Sequence, residues 1–301
     1  MKYWKSFVVV LVMCQLSACG KTNEYEEARP KLTSSYQSTS PITQTIRNSS
    51  KEDMQTTETI QKQEALEHYL QQFKNQQIAI YIEELTSGRT YGINENNLMY
   101  GASIAKLPII YYTQLQLLKG ALSMEATFPY IEAVNDIPGA MVRGGTGIMQ
   151  QMIQENNDYS ISQLLQWTIR YSDNLASNML GYYVADKNSG KFLETISSFY
   201  PQPLPVYSKE ISAKTAGLFM KEIYQNKIGL SDFLQTEWQK EKIGHLDVDV
   251  YHKIGTNGEF NHDVGIVMTD KPYVISIMTE GFSNSEIETI VTEIDVLMKK
   301  E

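Results

Sequence analysis

Gly101-Ala102-Ser103-Ile104-Ala105-Lys106-Leu107-Pro108 opens a long apolar run about one third of the way along this 301-residue chain. A serine three residues before a lysine is by itself a chance-level pattern, expected about once in a chain of ordinary composition. Here two further polar motifs follow it in order. Ser172-Asp173-Asn174 lies within Arg170-Tyr171-Ser172-Asp173-Asn174-Leu175-Ala176-Ser177-Asn178, and Lys253-Ile254-Gly255-Thr256 precedes two strand-like segments. Together the three point to a serine nucleophile activated by lysine instead of histidine.

The spacing places Ser103 and Lys106 on one face of a helix, within mutual reach. A serine at a helix start also sits where free backbone N–H groups favour developing negative charge. Lys106 can take the Ser103 proton only when partly neutral, which desolvation or a second cation would promote. Lys253 is the candidate second cation. Ser172-Asp173-Asn174 is far rarer by chance. All three residue types cap helices well, so alone the motif reads as a cap; its position downstream of Ser103 favours a site. Lys-Ile-Gly occurs three times, at Lys227, Lys242 and Lys253. The first two copies follow helical stretches, where lysine and then glycine make a C-terminal cap. The third is embedded in strands and followed by Thr256, and that context selects it.

Other chemistries find little support. His68, His245, His252 and His262 are the four histidines, and none stands in a nucleophile-elbow or triad context. His262, in Asn261-His262-Asp263-Val264, reads as structural. There is no His-Glu-x-x-His and no cysteine pair beyond the leader, so neither a metal nor another cofactor is expected. The formal charge of −9, without a basic run, argues against nucleic acid as a partner.

The first residues set the compartment. Lys2 and Lys5 precede an apolar run, Phe7 to Met13, too short to span a bilayer, which reads as a secretory signal over residues 1–18. Leu16-Ser17-Ala18-Cys19 resembles the lipobox of bacterial lipoproteins, which implies cleavage before Cys19 and a diacylglycerol on its thiol. The expected location is therefore the extracytoplasmic face of a bacterial envelope, lipid-anchored to the membrane. Cys14 lies inside the signal, so no disulfide is available. Residues 19–61, with Ser34, Ser35, Ser38, Ser40, Ser49 and Ser50 among Thr, Gln, Asn and Glu, bury too little apolar surface to order themselves. They are expected to form a tether of roughly 35 Å average reach.

Residues 62–301 suffice for one sizeable core. Leu66, Tyr69, Leu70 and Phe73 recur at helical spacing. Ile78 to Ile82 and Arg89 to Ile93 read as a hairpin about Thr86-Ser87-Gly88. A helix is predicted from Ser103 to about Leu118, ending at Gly120; Pro108 is tolerable near its start. The middle reads as helical, with pieces at Ile161 to Ile169 and Leu175 to Tyr183, and Ser212 caps a helix to Asn226. Val248 to Gly255, Val264 to Thr269 and Tyr273 to Thr279 read as strands. Ile287, Ile290, Val291, Ile294, Leu297 and Met298 form the stripe of a closing helix. The expected fold class is α/β (α+β), an antiparallel sheet flanked by N- and C-terminal helices plus an all-helical subdomain.

On these motifs the domain resembles class A β-lactamases and the related penicillin-binding serine D,D-peptidases. The likeness extends to the hairpin before Ser103, to Gly144-Gly145-Thr146-Gly147, to Tyr171 through Leu180, and to His262-Asp263-Val264-Gly265-Ile266-Val267. It implies Ser103 as nucleophile, Lys106 as its base and Ser172 as the proton relay to the leaving nitrogen. It implies that Asn174 holds the substrate amide, and that Lys253, Gly255 and Thr256 bind the substrate, Lys253 and Thr256 through its carboxylate. The backbone N–H groups of Ser103 and Thr256 would form an oxyanion hole.

Three departures stand out. Ile254 replaces the hydroxyl residue usual within the third motif. No arginine follows Arg170, so the family's guanidinium near that motif has no counterpart. Class A enzymes carry a Glu-Pro-x-Leu-Asn segment whose glutamate activates the deacylating water. Here Ser198-Phe199-Tyr200-Pro201-Gln202-Pro203-Leu204-Pro205-Val206-Tyr207-Ser208-Lys209-Glu210 is short and offers no match. Glu194 falls in a preceding helix, and Glu210 is too near Ser212. The expectation is a serine hydrolase that is acylated by β-lactams or related cell-wall peptides and releases the acyl group slowly. The alternatives are a D,D-carboxypeptidase acting on peptidoglycan, and a lipid-tethered protein that binds β-lactam or cell-wall peptide without turnover.

Overall fold

The computed structural model describes residues 62–152 and 156–299. The predicted signal, Cys19 and the predicted tether lie outside the described residues.

A five-stranded antiparallel sheet carries the domain. Strands β1 (Ile78–Glu84) and β2 (Thr90–Ile93) form the predicted hairpin, with Ile80 opposite Ile93 and Ile82 opposite Tyr91. The last three strands are β7 (Val250–Asn257), β8 (Phe260–Val267) and β9 (Tyr273–Glu280), and the sheet order is β2-β1-β9-β8-β7. The chain therefore leaves the sheet after β2 and returns along the opposite edge. β8 starts at Phe260, earlier than the apolar pattern from Val264 indicated. The three residues after Phe260 are polar, but Asn261, His262 and Asp263 are buried and paired with β9.

Strand alternation divides the core in two. Ile78, Ile80 and Ile82 of β1 and Tyr273, Ile275 and Ile277 of β9 point to one face. There they meet Leu66, Leu70 and Phe73 from helix α1 (residues 62–71) and its following turn, and the predicted stripe of helix α8 (Asn284–Lys299). Ala79, Tyr81, Val264, Ile266, Val274 and Met278 point to the other face and join the helical block. Each fully buried aliphatic side chain contributes about 1.5–3 kcal/mol, so a one-residue register slip would expose an entire face.

The block comprises α2 (Leu107–Leu118), α3 (Ile161–Arg170), α4 (Asn174–Leu180), α5 (Ser189–Ser197), α6 (Ala213–Asn226) and the short α7 (Leu230–Phe233). Ser160 and Gln163 close a capping box on α3, and Ser212 caps α6 as predicted by accepting the Thr215 N–H at 3.1 Å. Four three-residue strands went unpredicted: β3 (Leu98–Tyr100) pairs with β6 (Glu210–Ser212), and β4 (Thr127–Pro129) with β5 (Asp158–Ser160). The β3–β6 pair fastens the segment before Ser103 to the segment that follows Tyr207.

Candidate active site

Ser103 and Lys106 lie in a 3-10 turn, Ala102–Lys106, that runs into α2, not in the first turn of an α-helix. The difference favours the pair, because side chains three apart eclipse on a 3-10 helix. Lys106 Nζ is 3.1 Å from Ser103 Oγ. Ala102 enters the turn at φ 45° and Ser172 stands at φ 49°, left-handed conformations that non-glycine residues adopt at a cost. Both flank the same cluster of side chains.

Lys106 is fully buried and has four polar neighbours. Besides Ser103 Oγ these are the Ser172 carbonyl, Ser172 Oγ at 3.2 Å and Asn174 Oδ1 at 2.7 Å. The Asn174 amide orientation is fixed, since its Nδ2 donates to the carbonyls of Val142 at 2.8 Å and Gly144 at 3.0 Å. Two of the four neighbours, the Ser172 carbonyl and Asn174 Oδ1, can only accept. A neutral amine has two N–H groups for those two acceptors and one lone pair left for a hydroxyl. Burial first, and then the Lys253 charge, drive the Lys106 pKa well below its ordinary value, against an opposing pull from Asp173.

Lys253 comes from β7, the edge strand beside this turn. Its Nζ donates to Ser172 Oγ at 2.7 Å and to the Ile254 carbonyl at 2.9 Å. Burial lowers its pKa to about 7, against the pull of Asp263 and with the help of Lys242. Gly255 is what lets β7 approach: a Cβ there would stand 2.9 Å from the Gly101 carbonyl oxygen and 2.9 Å from the Ile104 nitrogen. Ser172 Oγ thus receives Lys106 from one side and Lys253 from the other.

Asp173 is the structural member of its motif. Oδ1 caps α4 by accepting the N–H groups of Leu175 at 2.9 Å and Ala176 at 3.0 Å, and Oδ2 accepts that of Met149 at 2.7 Å. The cap reading and the site reading of Ser172-Asp173-Asn174 therefore both hold, on different residues. The glycine-rich loop closes over the motif, and a Cβ on Gly147 would stand 2.5 Å from the Asp173 carboxyl carbon. His262 is structural as expected: its Nε2–H donates to the Tyr100 carbonyl at 2.8 Å and its Nδ1 accepts the Thr279 N–H at 3.0 Å. Burial lowers its pKa to about 4 and keeps it neutral.

Sequence reasoning missed Lys242. It is not a helix cap but a buried residue at φ 51° in a 3-10 turn, Lys242–His245. Its Nζ donates to Thr256 Oγ1 at 3.3 Å and to the His262 carbonyl at 3.1 Å. A lysine amine therefore does stand at the third motif, although no arginine does; burial lowers its pKa, against the pull of Asp263 and Glu241. Asp263 underlies the arrangement, accepting the Ile243 N–H at 3.0 Å and contacting His252 Nδ1 at 3.0 Å. Trp238, Glu241 and Asn284 were missed as well. With Ser103, Thr146, Ser172, Ile254 and Thr256 they line one open cleft of 240 Å³. Only the fold could reveal them, because no local pattern ties them to Ser103.

Glu241 is the one carboxylate among the described residues that line the cleft with Ser103. On the far side of the Ser103 turn Tyr207 is buried with its hydroxyl on the Ala105 carbonyl, and its ring fills the space a Cβ on Gly139 would need. The Lys209 carbonyl accepts the Gly101 N–H at 2.7 Å, and Lys209 Nζ donates to the Ala140 carbonyl at 2.9 Å. Glu194 is exposed on α5, and Glu210 is exposed on β6 opposite Tyr100.

The beta-lactamase enzyme family profile matches residues 61–295. No curated protein matches the sequence significantly. Among solved structures, PBP-A superposes with a TM-score of 0.63 at 18% identity, over 78% of this chain and 94% of its own. A mutant PBP-A, solved as the acyl-enzyme complex with penicillin G, gives 0.63 at 17%, over 79% and 95%. A beta-lactamase from Chitinophaga pinensis gives 0.63 at 18%, over 79% and 98%. These likenesses establish the fold.

Proposed function

Because the chain belongs to the beta-lactamase enzyme family, we propose that it is a serine hydrolase that acylates itself on Ser103. The observation that carries this reading is the set of partners at Lys106. Two obligate acceptors take two N–H groups and leave a lone pair toward Ser103 Oγ, in a site dry enough to disfavour the charged form.

In this mechanism Ser103 Oγ attacks the substrate carbonyl and its proton passes to Lys106. The backbone N–H groups of Ser103 and Thr256 stabilise the oxyanion. Ser172 Oγ accepts from Lys253 and, once Lys106 has taken the Ser103 proton, from Lys106 as well, which leaves its own hydrogen free to donate. It gives that proton to the leaving nitrogen as the C–N bond breaks, and Lys106 replaces it. Lys253, Lys242 and Thr256 attract the substrate carboxylate, and Asn174 orients the amide. A protein that only binds would need neither a base nor a relay.

Substrates of this reading are β-lactams or peptides ending in D-Ala-D-Ala. Release of the acyl group is slow in this reading, because the segment from Ser198 to Glu210 offers no counterpart of the family's water-activating glutamate, and Glu194 and Glu210 are exposed. Slow release also accommodates a peptidase acting on cell-wall peptides, for which a β-lactam is a suicide analogue. We further propose, from the sequence, that lipidation of Cys19 holds the domain outside the bacterial membrane. Mass spectrometry after exposure to penicillin tests the central step: an adduct on the intact protein that is absent from Ser103→Ala is expected.

A further inference from the structure

The leaving-group end of the cleft contains an anion. Glu241 follows Trp238 by one turn, its N–H donating to the Trp238 carbonyl at 3.0 Å, and both side chains line the cleft with Ser103 and Thr256. A polar chain ties this rim to the carboxylate-binding residues. Lys242 Nζ reaches Thr256 Oγ1, which donates to Asn261 Oδ1 at 3.3 Å. Asn261 Nδ2 donates to Asn284 Oδ1 at 2.9 Å, and Asn284 Nδ2 donates to Glu241 Oε2 at 2.9 Å. Glu241 is thereby held in place by one oxygen. Among the described residues no ion pair engages its carboxylate.

Glu241 supports the charge of Lys242, and it also puts a carboxylate on the rim of the cleft itself. An anion beside Lys242 and Thr256 works against an anionic ligand unless that ligand also carries a cation. A half-buried carboxylate next to an indole is the chemistry that recognises an ammonium group. We propose that Trp238 and Glu241 form a subsite for a side-chain ammonium on the leaving residue. The substrate class is a peptide whose C-terminal residue is a diamino acid, its α-carboxylate on Lys242, Lys253 and Thr256 and its free amine on Glu241. Acylation forms the Ser103 Oγ–acyl bond and breaks the peptide C–N bond. The diamino acid leaves with the proton from Ser172 on its α-nitrogen. This specificity rests on the Ser103 acyl-enzyme reading.

The test is competition against acylation of the protein by benzylpenicillin, followed by intact mass. Three N-acyl-D-Ala peptides compete, ending in D-Lys, D-norleucine or D-Ala. Norleucine keeps the side-chain length without the ammonium. The D-Lys peptide is expected to protect at about tenfold lower concentration than the norleucine peptide, and the advantage shrinks at high salt. Glu241→Gln brings the ratio of the two to about one. Equal protection by both in the unmodified protein, or an advantage that survives in Glu241→Gln or is unmoved by salt, overturns the inference while leaving the acyl-enzyme reading intact. Absence of any penicillin adduct overturns that reading and the inference with it.

Discussion

Lys106 and Lys253 converge on one hydroxyl: both side-chain nitrogens lie within hydrogen-bond distance of Ser172 Oγ, at 3.2 and 2.7 Å. Burial first, and then the Lys253 charge, lowers the Lys106 pKa, and burial lowers that of Lys253 to about 7. The proposed chemistry follows from that bias toward a neutral amine at Lys106.

Removal of the base is the first consequence. Lys106→Ala is expected to slow acylation by about 10²–10⁴-fold, the usual range for a positioned base. The variant keeps its far-ultraviolet dichroism. Unchanged acylation would take Lys106 out of the base role.

Lys253 predicts a pH dependence of stability. Its folded pKa of about 7 lies below the ordinary 10.5. Between those values the unfolded chain binds more protons than the folded one, so stability rises with pH through that window. Thermal midpoints at pH 7, 8 and 9 should increase, with a shallower slope in Lys253→Met. The same lysine is charged below about 7, so capture of carboxylate ligands weakens as pH rises past that value. A slope unchanged by the substitution would contradict the assignment.

Gly255 is a packing requirement. Gly255→Val forces β7 away from the Ser103 turn, because a Cβ would stand 2.9 Å from both the Gly101 carbonyl oxygen and the Ile104 nitrogen. Overpacking of this kind costs about 1–3 kcal/mol. Denaturant unfolding should show that loss, together with a much slower acylation.

Lys242 should act on binding more than on chemistry. Lys242→Met is expected to raise the half-saturating penicillin concentration about tenfold, as for a lost charge-assisted hydrogen bond. The limiting acylation rate should fall by less. An effect confined to the limiting rate would place Lys242 elsewhere in the mechanism.

The sequence made legible what local pattern controls. The β1–β2 hairpin, the stripes of α1 and α8 and the Ser212 cap are periodicity and capping, and each stands where predicted. The motifs single out Ser103, Lys106, Ser172, Asn174, Lys253, Gly255 and Thr256; of these Ser103, Ser172 and Thr256 line one cleft, and Lys106, Asn174 and Lys253 are joined to it by hydrogen bonds. What stayed hidden depends on chain path. The three residues after Phe260 in β8 are polar yet buried, because Asn261, His262 and Asp263 satisfy partners from distant segments. Lys242 looked like its twin at Lys227, which does sit at the C-terminal cap of α6. A left-handed backbone at Lys242 and the carboxylate of Asp263 turn the second copy inward instead. Trp238 and Glu241 reach the cleft from the segment just before that turn.

The central claim is acylation of Ser103 with slow release, and one experiment addresses both halves. Excess penicillin is mixed with the protein while ring opening and intact mass are followed together. A burst of about one ring opened per molecule is expected, with an adduct of the same stoichiometry that is absent in Ser103→Ala and little turnover afterward. Rapid continuous ring opening without accumulation of adduct would contradict slow release, and no adduct with no ring opening would contradict the acyl-enzyme itself.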